Sequence, residues 1–224
     1  MWSYLIAILV LGWLAYLGSK PPQRGQMAEA RGVEGEAVVE ARLRAILSRM
    51  CGNDFVLRHS VILIIAPGSK HPTAEIDHLV ITPFGVFVIE TKAWRGQIMM
   101  GKNSDVLTWV SPSGLIQTRK NPLAQNRSKV TFIRSLFPSE VVVAGAGVFS
   151  SPGACMSDDL PPDLIGVGNL SDWLSQRLEW YRVRAMETSV PEFLDTALID
   201  REIMRFVDAS SNAAIRHKER VAAA

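Results

Sequence analysis

Three ionisable residues interrupt two otherwise apolar runs: Asp77 in the first, Glu90 and Lys92 at the end of the second. Val, Ile and Phe dominate both runs, and the second is almost wholly apolar before Glu90, as in a strand covered on both faces. Glu90 and Lys92 are two apart, so on a strand they share a face. Charges at a buried strand end are costly unless paired or bound to a cation. Two readings follow from these residues. They form an ordinary salt bridge or solvated strand ends, or they form a divalent-metal site. In the second, Asp77 and Glu90 are hard oxygen ligands that suit magnesium or manganese. Lys92 then orients or deprotonates a water, or holds charge developing on a phosphate.

An acid ending one strand and Glu-x-Lys ending the next resembles the PD-(D/E)XK nuclease core. The longer string Thr73-Ala-Glu-Ile-Asp-His-Leu-Val-Ile-Thr-Pro-Phe-Gly-Val-Phe-Val-Ile-Glu-Thr-Lys-Ala-Trp94, with Gly96 behind it, is similar more narrowly to the NERD (nuclease-related) domain. Gly32-Val-Glu-Gly35-Glu36 matches the opening of that family, and Gln125-Asn126 its glutamine-containing second helix. The resemblance covers about Gly32 to Phe149. It implies metal-dependent cleavage of phosphodiester bonds in DNA. In that scheme Asp77 and Glu90 hold the metal, Lys92 positions the nucleophile, and Glu36 and Gln125 complete the catalytic set.

The elements that must position these groups can be read from pattern. Thr82-Pro83-Phe84-Gly85 between the runs predicts a hairpin. Register decides whether the acids meet. A two-residue turn at Phe84-Gly85 pairs Asp77 with Lys92 and joins all three charges, whereas a three-residue turn at Pro83-Phe84-Gly85 sends Asp77 to the other face. A bulge near Asp77 would restore convergence, and convergence is expected. His78 alternates away from Asp77 and is given no catalytic role. A helix is predicted from about Val33 to Met50, with Val39, Leu43, Ile46 and Leu47 on one stripe that extends back to Glu36. Acids in the first turn also suit the helix dipole, so Glu36 has a plainer explanation beside the catalytic one.

Phe55–Ile65 reads as a strand pair or one kinked strand, and short strands are expected around Gly96–Met100 and Val106–Val110. Trp94 and Trp109 fill a core or stack on bases. Asn121 and Pro122 are cap and first-turn signals for a second helix reaching Phe137. Arg127 and Lys129 fall off its apolar stripe, with Arg119 and Lys120 just upstream. These four make a solvated basic face, or hold phosphates beside the acids. Gly145-Ala-Gly147 resembles part of a dinucleotide fingerprint but lacks its third glycine and following helix. Further strands are expected at 140–149 and 164–167, and helices from Asp172 and along the tail.

Composition bounds the rest. The 224 residues permit one domain with appendages, and a net charge of +2 does not by itself argue for nucleic acid. Cys51 and Cys155 lack metal spacing and are expected as reduced thiols. Residues 1–19 carry no charge and place aromatics toward both ends, which predicts an uncleaved transmembrane helix. Lys20, Arg24 and Arg31 follow it, so the remainder is expected on the cytoplasmic side of a bacterial-type inner membrane. The expected organisation is an anchor at 1–19, a linker at 20–31, an α/β domain at 32–180 with a mixed central sheet flanked by helices, and a helical extension at 181–224.

Overall fold

A computed structural model describes residues 24–187, 194–208 and 213–222. The expected anchor, residues 1–19, lies outside them. Among the described residues no helix is long and apolar enough to cross a membrane.

The chain opens with helix α1 (Arg24–Cys51). The linker expected before Val33 is therefore helical from Arg24 onward. Its Gln, Met, Ala, Glu and Arg residues are good helix formers and carry the helix back toward Pro21-Pro22. Val39, Leu43, Ile46 and Leu47 are fully buried and dock α1 on a five-stranded sheet.

That sheet runs β1 (Val56–Ile64), β2 (Thr73–Thr82), β3 (Gly85–Lys92), β7 (Val143–Phe149) and β9 (Leu164–Gly166) in spatial order. The first three strands are antiparallel, and β3, β7 and β9 are parallel. The Phe55–Ile65 segment forms one strand, kinked at Ser60, whose φ of 49° is left-handed. Strand β3 is buried along its length except at Lys92, as its apolar run requires. Helix α2 (Pro122–Ser135) covers β3 and β7, and its first turn is capped by the Asn121 side chain accepting from Leu123 N at 2.9 Å.

The expected single central sheet is in fact two. Strands β4 (Gly96–Met100), β5 (Val106–Val110) and β6 (Ile116–Lys120), with β8 (Ala154–Met156), form a second sheet in the order β6-β5-β4-β8. Its Ile98 and Leu107 form a second small core with Phe149 of β7 and Leu164 of β9. The irregular segment Ala93-Trp94-Arg95 separates this sheet from β3.

The Gly-Ala-Gly of β7 has a packing explanation. A Cβ on Gly147 would come within 2.6 Å of both Pro122 and Leu164, so glycine lets the start of α2 sit against the sheet.

Helix α3 (Leu170–Glu187) packs Trp173, Leu174 and Tyr181 into the main core and runs through the expected boundary at residue 180. The tail forms α4 (Thr196–Met204) and α5 (Ala213–Ala222). It caps the β1 edge: Ile64 N donates to Phe206 O at 2.8 Å and Asp208 N to Ile62 O at 2.9 Å. Arg58 forks onto both oxygens of Asp200 at 2.6 and 2.7 Å, tying α4 to the same strand.

Candidate active site

The β2–β3 hairpin adopts neither anticipated register. Its two turn residues are Pro83 and Phe84, because Thr82 pairs with Gly85. The Thr82 hydroxyl, which accepts from Phe84 N at 3.3 Å and donates to Gly85 O at 3.0 Å, fixes that turn. The last ladder pair is His78 with Ile89. Continued by one residue, this register sets Asp77 opposite Glu90, on one face.

The ladder stops there. On the other side of β2 the pairing passes from His59–His78 to Val61–Ile76 around the kinked Ser60. Asp77 replaces the missing ladder contact with its side chain, Oδ2 accepting from Thr91 N at 2.7 Å. The strands part at this point, and the carboxylates line the opening.

Glu36, Asp77, Glu90 and Lys92 all line one cavity of about 610 Å³. Helix α1 supplies one wall, with Arg31, Gly32 and Glu36, and the second sheet supplies the other, with Trp109 and Arg119. Glu36 reaches the cavity because α1 approaches closely. A Cβ on Gly35 would meet Ser150 Oγ at 2.5 Å and Ala93 at 3.1 Å.

Charge within the site is organised around Glu90. Its Oε1 accepts from Lys92 Nζ and its Oε2 from Lys129 Nζ, both at 2.7 Å, and all three side chains are largely shielded from solvent. Burial raises the Glu90 pKa, but the two ammonium groups outweigh it and hold the carboxyl below its ordinary value. Asp77 shifts the other way. Burial, then the charge of Glu90, push it up to about 7, against the opposing Thr91 hydrogen bond and the lysines. Glu36 is also raised, by burial and then by the charges of Glu75 and Glu90.

Lys129 was expected off the buried stripe, free for phosphate. Instead it belongs to that stripe: Pro122, Asn126, Lys129 and Ile133 are the buried residues of α2, at steps of four, three and four. Asn126 on the same face donates to Val88 O at 3.0 Å and Ala146 O at 3.2 Å. Gln125 lines a second opening of about 320 Å³ behind the pair, together with Glu75, Lys120, Lys129, Asp77 and Glu90. Arg127 is not brought to either opening; it is exposed and pairs with Asp105 at 2.9 Å. His78 faces the core, its Nε2 within 3.1 Å of Thr91 Oγ1, and burial lowers its pKa to about 4. Arg95, Arg31 and Glu75 also border the openings, and their spacing in sequence carries no signal of it.

Among the described residues no three His, Cys, Asp or Glu side chains cluster as a metal cage. The donors available are the two facing carboxylates, Asp77 and Glu90, with Glu36 on the cavity wall.

A mixed sheet that delivers two acids and a lysine to one cavity defines a nuclease-like α/β domain of the PD-(D/E)XK kind. The comparison with known families agrees: the nuclease-related domain, NERD, matches residues 31–150, more than half of the 224-residue chain. The chain belongs to the NERD family. No curated protein and no solved structure matches it.

Proposed function

We propose that the cavity hydrolyses phosphodiester bonds in DNA, with magnesium or manganese as cofactor. The observation that carries this reading is the convergence of Asp77, Glu90, Lys92 and Glu36 on one cavity within a NERD domain. The donor set fits such an ion. Magnesium is commonly held by one or two carboxylates and keeps several waters, so a two-acid site suffices. Asp77 commits Oδ2 to Thr91, and among the described residues Oδ1 takes no hydrogen bond. Burial and the charge of Glu90 outweigh the two lysines and raise the Asp77 pKa, a shift that a bound cation would reverse.

Asp77 and Glu90 would hold the ion, which when bound lowers the pKa of water and offsets charge on phosphate oxygens. Lys92, anchored on Glu90 at 2.7 Å, would orient the attacking water or steady the phosphate. Glu36, its pKa raised, would take a proton from that water. Gln125 would orient groups from the rear opening, and Arg119 and Lys120 would contact flanking phosphates. Residues 1–19 would tether the domain to the inner membrane, which retention of the full chain in carbonate-washed membranes would test.

One observation favours a second reading, a nuclease-fold module that binds DNA or a protein partner at the membrane without cutting. Both oxygens of Glu90 are already satisfied by lysines. The two readings separate on one experiment. Full-length protein in detergent is incubated with labelled single- and double-stranded DNA, with and without magnesium or manganese, beside Asp77→Asn. Cation-dependent cleavage by wild type alone supports the enzyme. DNA binding by both proteins with no cleavage by either supports the silent module.

A further inference from the structure

The wall opposite Glu36 carries an arrangement that the acids do not explain. The Arg119 guanidinium lies 3.7 Å from the Trp109 ring centroid and 4.9 Å from that of Trp94. Neither ring is loose: Trp109 Nε1 donates to Arg95 O at 2.7 Å, and Trp94 packs on Phe149 with centroids 5.6 Å apart. Gln117 Oε1 accepts from Arg119 Nη2 at 3.1 Å, which fixes the plane of the fork. Unlike Arg58, Arg127 and Arg177, Arg119 pairs with no carboxylate among the described residues. It is a permanent cation, held flat and partly withdrawn from water, on the same cavity as Asp77 and Glu90.

We infer that Arg119, clamped by Trp94 and Trp109, grips a backbone phosphate of an unpaired DNA strand entering the cavity. A planar guanidinium matches phosphate oxygens in a bidentate way that lysine cannot. The strand is single because the cavity that Asp77 and Glu90 line is walled by α1 on one side and the second sheet on the other, with Glu90 itself buried. One strand can be threaded between such walls, whereas a duplex must first open. The tryptophans are positioning residues: they act by fixing the guanidinium. This inference rests on the nuclease reading for its choice of substrate, but its test does not depend on cleavage.

The test measures binding by the full-length protein in EDTA, using fluorescence anisotropy of a labelled single strand of about ten nucleotides and of a hairpin duplex. Wild type is expected to prefer the single strand by about tenfold. Arg119→Lys keeps the charge and should weaken single-strand binding about fivefold with an unchanged salt slope, whereas Arg119→Ala should also flatten the slope by ~0.7. Trp109→Leu should resemble Arg119→Lys. Thermal melts show that each variant is folded; a variant that is not folded is set aside and the other clamp variant decides. Equal binding of duplex and single strand, or a folded Arg119→Lys that binds like wild type, overturns the inference. Wild type that binds as expected yet cuts nothing with magnesium would sink the nuclease reading alone. Cleavage with unaltered Arg119→Lys binding would sink this inference alone.

Discussion

The two sheets handle charge in opposite ways. The five-stranded sheet buries β3 almost completely and admits charge to that strand only beyond its ladder with β2, where Asp77, Glu90 and Lys92 are paired or shifted in pKa. The four-stranded sheet fully buries only Ile98 and Leu107, against Phe149 and Leu164 of the other sheet, and leaves β6 largely exposed, with Ile116 at 68%. The first sheet sets the geometry of the acids through the fold itself, so a change there is felt as stability. The second presents Arg119 on a light scaffold, so under the proposed function a change there is felt as binding.

The comparison breaks most visibly at Glu90. Glu90→Gln should abolish cleavage, at least ~10³-fold, and leave Lys129 buried without its counter-charge. Losing one partner of such a pair costs about 3–5 kcal/mol, read as a lower midpoint in urea melts. Adding Lys129→Met should return part of that loss. If Glu90→Gln melts like wild type, the two ammonium groups do not depend on it. Phe87→Ala tests the same sheet without charge. Phe87 is fully buried, edge-on to Trp173 at 5.4 Å, and its removal should cost about 3–4 kcal/mol by the same measurement.

Adjacent residues of β2 sharpen the contrast through pH. His78 has its pKa lowered from 6.5 to about 4, so its stability is present above 6.5 and lost as pH falls toward 4. Asp77 has its pKa raised from 3.8 to about 7, so its stability is present below 3.8 and lost as pH rises toward 7. Over the shared window the two slopes oppose each other. Asp77→Asn should therefore reveal stability that rises with pH, and His78→Gln stability that falls with pH, each by about 1–3 kcal/mol. Parallel profiles for the two variants would contradict the assignments. The smallest effect belongs to the second sheet: Ile116→Ser should change stability by less than about 0.5 kcal/mol.

Much of the frame was legible in the sequence because it follows local rules. The stripe through Val39, Leu43 and Ile46 set the helix face that brings Glu36 to the cavity. The Asn121 cap and the apolar run of β3 were equally plain. What was not legible depended on contacts distant in sequence. Turn chemistry at Thr82–Gly85 allows several registers, and the Thr82 hydroxyl selects the one with Pro83-Phe84 as the turn. Lys129 read as a surface charge because its partner is 39 residues away, although its steps from Asn126 and Ile133 mark a buried position. The split into two sheets turns on the break at Ala93–Arg95, which no periodicity announces.

Helix α1 is continuous from Arg24 through Glu36 to Cys51, and its C-terminal half is locked into the core by Leu43, Ile46 and Leu47. It therefore works as a shaft with a fixed angular phase. One residue inserted between Arg24 and Arg31 would turn the start of the helix by about 100° and move it about 1.5 Å along the axis, without disturbing the cavity. The direction in which the cavity faces relative to Arg24 is thus set by a residue count.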